Sequence, residues 1–285
     1  MKKRLNIQKT YKLYINGQFL RTESGRYFPV HDDKETLIAN MCKASRKDFR
    51  EAVKASRNAT SIWSAKTAYN RGQILYRTAE TLEGRKEQFI EELITMGMKK
   101  KDADKEVETS LDRLVYYAGW ADKYQQLFST VNPVSSSHYN FSVPEYQGVI
   151  AIIAPETNPL LALVSLICPA IASGNTVVYL ASQQSPLSSI SFAEVLHASD
   201  MPAGVVNILT GFVSELSKHF SSHMDVNGIV CCQDHNDQFK SIQENASENV
   251  KRVHFYNEST WEECESPYFI LDHTEIKTTW HPVGG

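Results

Sequence analysis

Two adjacent thiols, Cys231 and Cys232, close an apolar run that begins at Ile229. At the C-terminal end of a parallel strand, where α/β folds place ligands, such a pair could be a redox couple, a metal site or a source of a nucleophile. The structural alternative is that one side chain packs under a helix while the other lines an unused crevice. His219 and His223 have i, i+4 spacing but lack the intervening glutamate of an H-E-x-x-H zinc site, and they read as surface or packing residues. Cys264 lies in EECESPY, with no histidine or lysine neighbour to lower its pKa, and reads as a surface thiol. The turn Pro155-Glu156-Thr157-Asn158 follows another apolar run and is short of the groups that chemistry would need.

The five cysteines (Cys42, Cys168, Cys231, Cys232, Cys264) are odd in number, scattered and without a C-x-x-C pair. That usage fits free thiols in a reducing compartment rather than a disulfide framework or a zinc site, so no metal is expected. The 285 residues are 42% hydrophobic and 22% charged, an ordinary globular composition for one large domain or two modest ones. With 30 basic and 33 acidic residues the net charge is -3, which gives no field that favours nucleic acid or an anionic membrane. There is no signal-peptide core and no apolar run long enough to span a bilayer, so a cytoplasmic location is expected.

The elements that must position these residues can be read from periodicity. Tyr11 to Arg26 alternates around Asn16-Gly17 and predicts an opening β-hairpin. Helical spacing follows over 47–56, 68–82, 86–96 and 103–128, and the polar stretch 129–138 with Pro133 reads as a linker. After an extended segment at 139–143, apolar runs at 148–154, 176–180, 205–209, 229–232 and 253–256 alternate with helix-length segments at 159–172, 188–197, 214–221 and 237–247. This alternation predicts an α/β fold built on a Rossmann-like, five-stranded parallel sheet.

Several stretches together resemble the aldehyde dehydrogenase superfamily. The helices from Arg71 to Lys123, ending LVYYAGWADK, are similar to the family's N-terminal helices. GVIAIIAPETNP, PAIASGNTVVYLASQQSPLS, MPAGVVNILTG and SHMDV follow in the family's order and spacing. The likeness runs from about Tyr11 to Tyr256, and the closing TEIKTTWHPVGG resembles the strand through which family members pair across a dimer. The resemblance implies a domain over residues 1–257 that binds NAD or NADP, and a tail over 258–285 with an oligomerisation strand. The cofactor positions it implies are Ile153, Pro155, Glu156, Thr157, Leu180, Ser182, Gln183, Gln233 and Asp234.

At those positions the sequence departs from the family. Thr157 stands where the family's Pro-Trp-Asn turn has the amide that holds an oxyanion, although the neighbouring Asn158 could donate if the turn shifts. Leu180 replaces a lysine and Gln183 a carboxylate that bonds ribose, so affinity should fall by about 1 kcal/mol or more per lost bond. Gln233 fills the place of a glycine that admits the phosphates, and Asp234 would put its carboxylate on the helix N-terminus that faces them. Glu258 is offset by two residues from the family's general base, and the 28 residues after Asn257 are too few for the domain that carries the nucleophilic cysteine. The expectation is a catalytically inactive companion, a homo-oligomer or a partner of a full-length aldehyde dehydrogenase, joined through 139–150 and 275–283. Two alternatives stand beside it: an NAD(P) sensor using the Rossmann crevice, and an aldehyde oxidoreductase of altered chemistry using Cys231 or Cys232.

Overall fold

The computed structural model describes residues 9–32, 35–232, 236–256 and 260–284, with backbone alone for 236–238. Strands β1 (Lys9–Tyr11), β2 (Leu13–Ile15), β3 (Gln18–Leu20), β4 (Tyr27–His31) and β5 (Leu37–Cys42) open the chain. β2 and β3 form the expected hairpin, and Asn16 and Gly17 adopt the positive φ values, 53° and 72°, that a type I′ turn demands. A three-stranded sheet in the order β1-β5-β4 was not foreseen from the sequence. Pro29 inside β4 hides that strand, because a residue without an N–H reads as a breaker and is tolerated here at a sheet edge.

Helices α1 (Arg46–Ser64), α2 (Ala68–Glu83), α3 (Lys86–Thr95), α4 (Lys100–Trp120) and α5 (Tyr124–Phe128) follow. A capping box between Ser45 and Asp48 starts α1, whose buried face carries Phe49, Ala52, Val53, Ser56, Ala59, Thr60 and Trp63 at three- and four-residue spacing. The segment expected as one helix over 103–128 divides into α4 and α5. The Lys123 N–H bonds the carbonyl of Trp120, three residues back, which tightens the last turn and redirects the chain.

The remaining elements are β6 (Thr130–Asn132), β7 (His138–Tyr146), β8 (Val149–Ile153), α6 (Pro159–Ala172), β9 (Thr176–Leu180), α7 (Leu187–Ala198), β10 (Val206–Leu209), α8 (Val213–Ser222), β11 (Gly228–Cys231), α9 (Asn236–Ser247), β12 (Arg252–Phe255), a 3-10 turn at Trp261–Glu263, α10 (Tyr268–Leu271) and β13 (Thr274–Pro282). The central sheet runs β12-β11-β8-β9-β10-β2-β3, so the five parallel strands are present and the hairpin extends them antiparallel at one edge. Side chains alternate between two cores. Ile150, Ile152 and Tyr179 face the one built with α2, α4, α6 and α7, while Val149, Ala151, Ile153 and Leu180 face the one built with α1, α8 and α9.

A second three-stranded sheet, β13-β7-β6, takes in the stretch read as a linker, because β6 pairs with β7 there. β13 pairs antiparallel with β7 from Thr274↔Tyr146 to Pro282↔His138, within the chain. Among the described residues no helix is long and apolar enough to cross a membrane.

Candidate functional site

The chain runs from β8 to β9 and β10 on one side, then returns to β11 and β12 on the other. The order therefore reverses beside β8, and the crevice of such a sheet lies past the strand ends between the turns that follow β8 and β11. Ile153 and Pro155 are buried at that edge, Glu156 and Asn158 are half-buried and Thr157 is exposed. Cys232 begins the facing turn, with its N–H donating to the Ile153 carbonyl at 3.2 Å. Gln233 and Asp234, and Glu258 farther on, lie outside the described residues.

Glu156 crosses from the β8 turn to the β9 turn. Its carboxylate accepts from Ser182 Oγ at 2.6 Å and from the backbone N–H groups of Gln183 at 3.3 Å and Gln184 at 3.0 Å. Ser182 Oγ also accepts the Ser185 N–H at 2.9 Å, which fixes the hydroxyl between the two loops. Leu180, two residues before, is fully buried in the core with α1, α8 and α9. Its side chain belongs to packing, with none of the reach of a lysine.

The turn that precedes α6 is tied down by a second carboxylate. Asn158 takes a left-handed conformation (φ 48°), and its side-chain amide donates to Glu106 Oε2 at 3.2 Å. The N–H groups of Leu160 and Leu161 donate to Glu106 Oε1 at 2.9 and 3.2 Å, so a glutamate from α4 caps α6. Burial raises the Glu106 pKa despite those three donors. One donor of the Asn158 amide is thus engaged by Glu106.

Cys231 and Cys232 lie on opposite sides of the sheet. Cys231 is buried in the core with α1, α8 and α9, and half-buried Cys232 packs against the core with α6. Adjacent residues leaving a strand diverge in this way, so the thiols do not form a couple. Cys264 is half-buried, and its thiol donates to the Thr260 carbonyl at 3.4 Å. His219 and His223 end α8, where burial lowers both pKa values, and His223 meets the Phe49 ring edge-on at 5.7 Å. Among the described residues no three histidine, cysteine or carboxylate side chains gather into a metal site.

Arg113, which the reading of the sequence does not single out, is 1% exposed in the middle of α4. Its guanidinium donates to Ser165 Oγ at 2.7 Å, to the carbonyls of Glu262 at 3.1 Å and Trp261 at 3.4 Å, to that of Cys264, and to Glu265 at 3.3 Å. Tyr117 adds a bond to the Ser266 carbonyl at 3.2 Å, and Trp261 and Ile270 enter the core beside α6. The segment 260–271 is held on α4 and α6 by these groups. From Glu275 onward β13 is exposed at every residue, with Ile276 and Trp280 59% and 57% exposed.

Comparison with known proteins places this arrangement. The profile of the aldehyde dehydrogenase family matches residues 19–276. Aldehyde dehydrogenase, cytosolic 1 of Elephantulus edwardii is 34% identical over 257 residues, 87% of this chain and 50% of that protein. Retinal dehydrogenase 2 of Gallus gallus is 33% identical over 258 residues, 87% of this chain and 49% of the relative. Among solved structures, the NAD+ complex of an aldehyde dehydrogenase from Bacillus cereus superposes with a TM-score of 0.82 at 27% identity, covering 86% of this chain and 50% of that one. The chain thus spans about half the length of the relatives it matches, and over that span sequence and fold agree: it belongs to the aldehyde dehydrogenase family.

Proposed function

We propose that this chain is a catalytically inactive aldehyde dehydrogenase module that assembles, with a second copy or with a full-length aldehyde dehydrogenase, through the sheet β13-β7-β6. The observation that carries this reading is that two carboxylates of the chain itself hold the donors of the crevice. Glu156 takes the Ser182 hydroxyl and two backbone amides after β9, and Glu106 takes the Asn158 amide and the first amides of α6. A dinucleotide approaching this edge would meet a carboxylate where it needs a donor, and Leu180 offers no ammonium. The residues present do not fit NAD or NADP in the family's manner.

The same geometry bears on the alternatives. A sensor using the crevice is favoured by one fact, that the chain superposes with a TM-score of 0.82 on an aldehyde dehydrogenase structure solved with NAD+. An altered chemistry through Cys231 or Cys232 would not use the two thiols as a couple, since their side chains pack into opposite cores. Assembly draws its support from β13, whose outer edge and faces are exposed although its inner edge is paired with β7.

Calorimetric titration with NAD and NADP tests the crevice. The expected result is no measurable heat at millimolar ligand, together with no aldehyde-dependent reduction of NAD. Micromolar 1:1 binding would reverse the reading and put sensing or catalysis first.

A further inference from the structure

Arg71, in the first turn of α2, is 6% exposed. Its guanidinium donates to two carbonyls, those of Ala172 at 3.0 Å and Lys66 at 2.6 Å, and to no carboxylate among the described residues. A buried arginine is ordinarily paired with an anion. Here the carbonyls at the C-terminus of α6 offset about half an elementary charge. Burial lowers the Arg71 pKa, with Tyr124 beside it acting in the opposite direction. The two carbonyl bonds leave further N–H donors on the planar fork.

Arg71 lines an open cleft of about 350 Å³ where the turn between α1 and α2 meets α5 and the end of β7. Tyr124 and Ser173, 1% and 2% exposed, line it as well, and half-buried Lys66 adds a second cation. Among the described residues that line the cleft, the one carboxylate is Glu145, which is already paired with Lys277 of β13 at 2.6 Å. The cleft therefore holds more positive charge than the chain neutralises. Tyr146 and Ser173 each stand three residues before a strand, β8 and β9, so the cleft lies at the opposite end of the sheet from the crevice. We propose that this cleft binds a small oxyanion, a carboxylate or phosphate group, through the Arg71 guanidinium, the Lys66 ammonium and the Tyr124 hydroxyl. Guanidinium and ammonium donors form charge-assisted bonds to such oxygens, and the guanidinium fork matches two of them at once. The Tyr124 hydroxyl now donates to the Ser173 carbonyl at 3.5 Å, a length at which little is lost when it turns to the anion. The inference is independent of whether the chain assembles through β13.

The test titrates the full chain with inorganic phosphate and, separately, with acetate at constant ionic strength, following the NMR shifts of the Arg71 Nε–H and the Tyr124 backbone N–H. Saturable shifts at these groups are expected for the parent. Lys66→Met and Tyr124→Phe should each weaken binding at least threefold with the unfolding midpoint unchanged. Arg71→Lys, which keeps the charge but not the fork, should weaken it at least tenfold. Glu145→Gln, which removes the opposing charge, should tighten it at least twofold. Tighter binding of phosphate than of acetate assigns a phosphorylated ligand and the reverse order a carboxylate, and either order supports the site. No saturable response in the parent, or an affinity indifferent to Lys66→Met and Tyr124→Phe in folded chains, would overturn the proposal.

Discussion

β8 and β13 are both strands next to their sheet's most extensive pairing, yet one is buried at every residue and the other is exposed at every residue but Thr274. β8 is flanked by β9 and β11 and covered by helices on both faces, so its hydrogen bonds and its apolar surface are satisfied within the chain. β13 is paired on one edge alone, and its Ile276 and Trp280 side chains stand in solvent. The difference separates what the fold needs for stability from what it presents outward. On the proposed reading the exposed ribbon with its apolar residues is the face a partner would cover, whereas beside β8 the chain's own Glu156 and Glu106 accept from the donors at the crevice.

The largest effect should come from the buried strand. Ile152→Ala removes side-chain volume from a fully buried position in β8 and is expected to lower the unfolding free energy by about 2–5 kcal/mol, as read by denaturant unfolding. Arg113→Ala should cost about 3 kcal/mol, because it strands the carbonyls of Trp261, Glu262 and Cys264, and proteolysis should then cut preferentially within 260–273. An Arg113→Ala variant with parental stability and protease resistance would show that the tail is held by other means.

At the junction of core and ribbon, His273 is fully buried, and burial and the neighbouring His254 push its pKa down to about 3. Its carbonyl is held by the Asn175 amide at 2.7 Å, and the next carbonyl, of Thr274, by Arg252 at 2.6 Å. The folded state keeps this imidazole neutral while the unfolded chain protonates it near pH 6.5, so the stability it contributes is complete above that pH and is lost as pH falls toward 3. The slope is at most about 1.4 kcal/mol per pH unit, and His273→Phe should flatten it in a series of unfolding curves from pH 7 to pH 4. The smallest effect belongs to the ribbon: Ile276→Ala should change the stability of the monomeric fold by less than about 0.5 kcal/mol. A larger loss in a demonstrated monomer would mean that β13 is part of the core after all.

Much of the sheet was legible because its strands are short apolar runs between turn residues, and the expected ends of β9 and α6 coincide with the observed ones. The hairpin was legible for the same local reason, through Asn16-Gly17. β4 was hidden by Pro29, and β6 by its polar neighbours, since pairing with β7 rather than its own periodicity makes it a strand. The departures at Thr157 and Leu180, and Asn158 as a neighbouring donor, could be named from the sequence, but not the carboxylates that meet them. Glu106 lies 52 residues from Asn158 and Glu156 lies 26 from Ser182, and nothing local to either glutamate marks it as a cap. A carboxylate or guanidinium set among the small and apolar residues of a helix's inner face, as Glu106 and Arg113 are in α4, is the one signal that periodicity could have supplied.

The most direct measurement is sedimentation equilibrium of the chain at high concentration, alone and mixed with a full-length aldehyde dehydrogenase, for the parent and for Trp280→Asp. The account predicts a dimer or larger assembly, or a complex with the full-length enzyme, that Trp280→Asp dissolves while leaving the fold's unfolding midpoint unchanged. A parent chain that remains monomeric and ignores the enzyme, or an assembly indifferent to Trp280→Asp, would contradict it.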